Sequence, residues 1–125
     1  MAHELVVQAL VNQKVHIAFG IPGIQNIKFY EILQAFAGNF ASVLITNEQN
    51  AAYMAIGYLQ CAGQVACVNL IGGPGVTHAL GGLRAARLME IPIIVLVTAA
   101  RQNFPFQFQL HEVDNAKMLR PVCKS

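Results

Sequence analysis

Between Glu31 and Arg84 the chain carries one Asp, Glu, Lys or Arg, and it is Glu48. A carboxyl group set among apolar residues is suited to acid–base work, because withdrawal from water disfavours its charged form. Two glycine-rich turns, Gly20-Ile21-Pro22-Gly23 and Gly72-Gly73-Pro74-Gly75, have the composition that lets a ligand approach the backbone closely. Each feature also has a purely structural reading. Glu48 can be a helix-start carboxylate facing the positive end of the helix dipole. Either turn can be a tight connection and nothing more. Read as a dinucleotide fingerprint, the second turn would need another glycine where His78 stands. No GxxxxGK[ST] phosphate loop occurs. Other chemistries are poorly supplied. The only serines are Ser42 and Ser125, and there is no GxSxG, which leaves no serine nucleophile elbow. His3, His16, His78 and His111 lack zinc-ligand spacing.

The elements that must position these residues follow from the apolar pattern. Helical spacing runs over residues 3–13, 26–37, 47–61 and 76–89, with one or two further turns near 113–119. Short apolar runs over 15–19, 42–46, 65–71 and 93–98 predict strands. Residues 101–110, rich in Phe and Gln, read as a loop. Near-continuous apolar strands predict a parallel sheet buried on both faces. The strict alternation predicts an α/β fold, a doubly wound and mostly parallel sheet flanked by helices. Ligands of such sheets bind outside the carboxyl ends of the strands. Glu48, just after the second strand, then shares one edge with the turns that follow the first and third.

Composition sets outer bounds. The chain has 125 residues and a mass of 13.5 kDa, enough for about one domain. Hydrophobic residues make up 55%, which excludes disorder, and charged residues make up 11%, against roughly 25% in ordinary domains. The 8 Lys and Arg form no run, which argues against nucleic acid as a partner. Every apolar stretch is interrupted before the roughly 18 residues of a membrane span. The cleanest, Ile91–Ala100, contains Pro92 and reads as a buried strand. The N-terminus Met1-Ala2-His3-Glu4 lacks the basic start of a signal peptide. Cys61, Cys67 and Cys123 are odd in number with no CxxC spacing, which predicts reduced thiols in a cytoplasmic protein. So little charge on so apolar a chain predicts a large face covered by another copy or another subunit. The small residues of NAAYMAIGY and VTHALGGLRAAR point to those two helices as that face.

The segments AFGIPGIQN (18–26), TNEQNAAYMAIGYLQCAG (46–63), GGPGVTHALGGLRAA (72–86), IPIIVLVT (91–98) and HEVDNAKMLRPVCKS (111–125) together resemble the pyrimidine-binding, N-terminal domain of thiamine-diphosphate-dependent enzymes. Acetolactate synthase and pyruvate decarboxylase are the members most similar by pattern. The resemblance implies that Glu48 contacts N1′ of the cofactor's aminopyrimidine and so promotes loss of the C2 proton of the thiazolium ring. It implies that Pro22 and Gly23 border the pyrimidine and that Ile71 and Gly73 line its other side. His78 stands where the family usually has Asn, at a cofactor-binding position. His111 stands where acetolactate synthases have an active-site Gln, which makes it a candidate to face substrate. The family's diphosphate site, a GDG motif followed by Asn-Asn that carries Mg²⁺, has no counterpart in these 125 residues. The implied domain spans 1–125 without the family's last helix and strand. The implied activity is decarboxylation or carboligation of 2-oxo acids. It requires a diphosphate-binding partner, and the assembly is a homo-oligomer or a hetero-oligomer with such a subunit. The alternative is a non-catalytic interaction or remnant domain that keeps the fold and oligomer faces without the cofactor.

Overall fold

A computed structural model describes residues 2–100 and 111–124; the loop expected over 101–110 lies outside the described residues. The elements run α1 (Ala2–Asn12), β1 (Ile17–Gly20), α2 (Ile27–Ala35), β2 (Ala41–Leu44), α3 (Glu48–Ala62), β3 (Cys67–Ile71), α4 (Pro74–Leu88), β4 (Ile94–Thr98) and α5 (Asn115–Leu119). The alternation expected from the sequence is present, with boundaries displaced by a few residues. The four strands form one sheet in the order β2-β1-β3-β4, and every pair is parallel.

Local chemistry explains the ends of the helix that carries Glu48. Asn47 is extended and its side-chain oxygen accepts the Gln49 N–H at 2.9 Å, satisfying one of the free amides of the first turn. At the other end Gly63 adopts φ +67 and its N–H returns to the Leu59 carbonyl at 2.8 Å, a left-handed cap that a side chain would strain.

The sheet separates two apolar layers. Val7, Leu10, Phe29 and Leu33 of α1 and α2 pack with Ala18 and Cys67 on one face. Ala51, Ala52, Ala55, Val76, Ala79 and Leu83 of α3 and α4 pack with Phe19, Val68 and Leu70 on the other. Burial of the strands on both faces holds for the two central strands only. All of β3 except Ile71 is buried, whereas β4 is half-buried and β2 is largely exposed. An edge strand has one neighbour and partial helix cover, so its apolar residues stay in reach of solvent.

The small residues of α3 and α4 have a use inside the chain. A Cβ at Gly82 would stand 2.6 Å from the Ala52 Cβ and 2.9 Å from the Gln49 carbonyl oxygen. These residues bring the two helices of one chain together. They do not by themselves mark a face for another copy, which corrects the reason given for placing an interface there.

Candidate functional site

The chain passes from β1 outward to β2 and returns across β1 to reach β3 and β4. The β1/β3 junction is therefore the point where strand order reverses, and ligands of open α/β sheets bind beyond the carboxyl ends of the strands at such a point. The β1–α2 turn and the β3–α4 turn flank this junction, and the start of α3 lies beside it.

The first turn is held by a residue that the sequence reading passed over. Asn26 is fully buried. Its Oδ1 accepts the Gly23 N–H at 2.7 Å, and its Nδ2 donates to the Ile21 carbonyl at 3.0 Å. One amide thus clamps the chain on both sides of Pro22. Gly23 itself lies against the end of Ile71, so close that a Cβ at Gly23 would overlap the Ile71 Cδ1. Pro22 and Ile71 are brought to the same edge through this contact. The signal for Asn26 was its place just ahead of a helix, although its side chain caps the loop and not the helix.

The second turn is held in a similar way. Gly73 has φ +76 and ψ −110, a conformation open in practice only to glycine. Its N–H donates to Asn115 Oδ1 at 2.9 Å, and the Gly72 N–H donates to the Thr98 carbonyl at 2.9 Å. His111 reaches the site with its backbone and Cβ against Gly73, 3.3 Å from where a Cβ there would be. Asn115 was also missed. It lies 42 residues from its partner, and nothing local marks such a bond.

Glu48 opens α3 between these turns. Its Oε1 lies 3.7 Å from where a Cβ on Gly75 would stand. Its Oε2 lies 3.2 Å from Nδ1 of His78, and 16% of its side-chain surface is exposed against 62% for His78. The surroundings of Glu48 are therefore not wholly apolar. An imidazole on α4 shares the carboxyl, and that contact joins two residues that the sequence placed at the site separately. Glu48, His78, Gly23, Ile71, Gly73 and His111 gather at one edge, with Pro22 in the same turn.

Beneath the edge, Asn69 of β3 is 1% exposed and lies beside Gly20 and the Tyr30 hydroxyl. Burial pushes the Tyr30 phenol up to about 12, against the opposing influence of the Asn69 amide. Neither that hydroxyl nor Asn69 Nδ2 completes a hydrogen bond of good geometry. Cys67 is pushed up to about 12 by burial, which makes it a packing residue and not a nucleophile. All three cysteines are free. Among the described residues no group of three His, Cys, Asp or Glu could hold a metal ion. No described helix is long and apolar enough to cross a membrane.

The arrangement suits a flat polar heterocycle. It offers a carboxyl oxygen beside Gly75, and two glycines whose backbone is packed closely by neighbours, Gly23 by the end of Ile71 and Gly73 by His111. Comparison with known proteins gives the family. The family model described as the N-terminal TPP-binding domain of thiamine pyrophosphate enzymes matches residues 1–118. The acetolactate synthase large subunit of Haemophilus influenzae is 32% identical over 97% of this chain and 21% of its own length. The isozyme 3 large subunit of Escherichia coli is 34% identical over the same shares, 97% and 21%. The X-ray structure of a protein described as a thiamin diphosphate-dependent enzyme from Mycobacterium smegmatis superposes with a TM-score of 0.86 at 28% identity, covering 98% of this chain and 23% of that one. The chain thus spans about a fifth of the length of these relatives. With its doubly wound parallel sheet, its carboxyl group at the strand-order reversal and this match over nearly its whole length, the chain belongs to the N-terminal TPP-binding domain family of the thiamine pyrophosphate enzymes.

Proposed function

We propose that the chain is the pyrimidine-binding half of a thiamine-diphosphate-dependent enzyme that decarboxylates or joins 2-oxo acids, with diphosphate and Mg²⁺ held by a partner domain or subunit in the cytoplasm. The observation that carries the reading is the Glu48 carboxyl, with Oε1 beside the bare Cα of Gly75 at the edge where the two glycine turns meet. When bound, the cofactor supplies the carbon nucleophile that attacks the 2-oxo acid. The protein's part is position and proton control. Glu48 exchanges a hydrogen bond and a proton at the pyrimidine ring nitrogen through Oε1. Gly23 lets the Ile71 side chain pack onto the first turn, Gly73 gives the second turn its shape, Pro22 stiffens the turn that Asn26 clamps, and Ile71 excludes water from one face. His78 touches the same carboxyl. His111, packed against Gly73, is the candidate to face substrate. The relatives are named as large subunits, which supports a partner-dependent assembly.

The test is a titration of the isotope-labelled chain with thiamine diphosphate, followed through backbone amide signals. Shifts should concentrate at Gly23, Glu48, Gly73 and Gly75. They should saturate only above about 100 μM, a binding free energy of about 5.5 kcal/mol, and should not change when Mg²⁺ is added. Shifts elsewhere, none at all, or a tight Mg²⁺-dependent site would reject the assignment. No shift at all is the outcome expected of a non-catalytic remnant.

A further inference from the structure

Glu48 and His78 are 30 positions apart in the chain; Glu48 opens α3 and His78 is the fifth residue of the neighbouring α4. The two oxygens of the carboxyl have different surroundings. Oε2 faces Nδ1 of His78 at 3.2 Å, while Oε1 lies on the side of Gly75, 3.7 Å from where a Cβ there would stand. Among the described residues, His78 is the side chain within hydrogen-bond distance of this carboxyl. His78 stands on a firm base. Its helix starts at Pro74 with a glycine ahead of it, and the Thr77 hydroxyl donates to the Pro74 carbonyl at 3.0 Å. An ionised carboxylate can only accept, so the contact is a hydrogen bond only when Nδ1 carries the proton. A neutral histidine side chain free in water carries its proton mainly on Nε2. With the carboxyl ionised, the geometry therefore requires a selected tautomer.

We propose that His78 is a positioning residue for Glu48: with its proton held on Nδ1 it fixes Oε2 and leaves Oε1, beside Gly75, as the oxygen offered to the ligand. A carboxylate that sets the tautomer and tilt of an imidazole is a common second partner in functional sites. Here the constraint runs in both directions, because the exposed ring also fixes the rotation of a carboxyl that no other side chain among the described residues holds by a hydrogen bond. The inference rests on the proposed function for the identity of the ligand, and stands without it for the pairing.

Nitrogen NMR of the full chain at alkaline pH, with labelled imidazole rings, reads the tautomer directly. His78 should be the Nδ1–H form in the parent and revert to mainly Nε2–H in Glu48→Ala. His16, whose Nδ1 faces the Asn39 carbonyl at 2.9 Å, is the internal control and should stay Nδ1–H in both. A His78 that is mainly Nε2–H in the parent, or unchanged by Glu48→Ala, overturns the proposal. A second arm compares His78→Asn with His78→Leu, using 4-amino-2-methylpyrimidine as the probe. The Asn amide nitrogen stands where Nδ1 stands, so its affinity should stay within about twofold of the parent, whereas Leu should weaken binding about threefold or more, the scale of a partly exposed pair. Equal losses in both variants, with amide spectra still folded, also overturn the proposal. A parent that shows the Nδ1–H form yet ignores the probe overturns the ligand assignment and the role of Oε1 with it, while the pairing remains.

Discussion

Glu48 is held by three features of different origin: the Asn47 cap that starts its helix, the bare backbone of Gly75 beside one oxygen, and the His78 ring at the other. The sequence made the helix start at Glu48 and the GGPG turn readable, because an isolated carboxyl at a helix start and a glycine turn after a strand are local signals, but it named neither the Asn47 cap nor the approach of Gly75 to the carboxyl. It did not make the third readable, since His78 reaches Glu48 through the packing of α3 on α4. Glu48→Gln keeps the shape of the side chain and gives up a half-sheltered charge, its pair with an exposed ring and a small dipole term. Its unfolding free energy should stay within about 1 kcal/mol of the parent, measured by urea denaturation. A loss well beyond that would make Glu48 a structural residue. A second residue-scale expectation concerns Asp114, which caps α5 by accepting the Lys117 N–H at 3.0 Å. That bond first, and then the Lys117 side chain, hold its carboxyl below the ordinary value of 3.8. Because the folded value is the lower one, the contribution of the cap is complete above 3.8 and is lost as pH falls through the depressed value. The Lys117 amide signal should therefore move in that acid range, and Asp114→Asn should remove the movement.

At the scale of elements, the helix and strand order was legible because apolar periodicity is a property of neighbours in sequence. Exposure was less so. The apolar runs 42–46 and 93–98 read like the central strand, and only the sheet order shows that β2 and β4 are edges. The Asn115 clamp was invisible for the same reason, since it acts on a turn 42 residues away, whereas Asn26 acts three and five residues away and only its place ahead of a helix marked it. Two glycines on packed helices test this level. Gly82→Ala would force a Cβ to 2.6 Å from the Ala52 Cβ, and should cost about 1–3 kcal/mol. At Gly57, in the middle of α3, a Cβ meets nothing within 4 Å, so Gly57→Ala should stabilise by about 0.5–1 kcal/mol. Parallel denaturation curves check both, and a neutral Gly82→Ala would show that α3 and α4 are packed less closely than described.

At the scale of the whole molecule, the low charge of the chain has a visible counterpart. Leu5, Ile24, Leu44, Leu88 and Met89 are large apolar residues left half-exposed or more, and both edges of the sheet carry apolar side chains in reach of solvent. Contiguous cover for such residues normally comes from another subunit. Sedimentation velocity at micromolar concentration should accordingly show a homo-oligomer, and a clean monomer would contradict that expectation. The central claim is narrower: this chain holds the pyrimidine end of the cofactor and not its diphosphate end. The most direct measurement offers the two ends separately to the labelled chain, 4-amino-2-methylpyrimidine in one titration and inorganic pyrophosphate with Mg²⁺ in the other. The pyrimidine should shift the amides of Glu48, Gly73 and Gly75 in the parent and leave them unmoved in Glu48→Gln, while pyrophosphate with Mg²⁺ should leave the same signals unmoved in both. Binding of pyrophosphate with Mg²⁺ at these residues, with no response to the pyrimidine, would contradict the account.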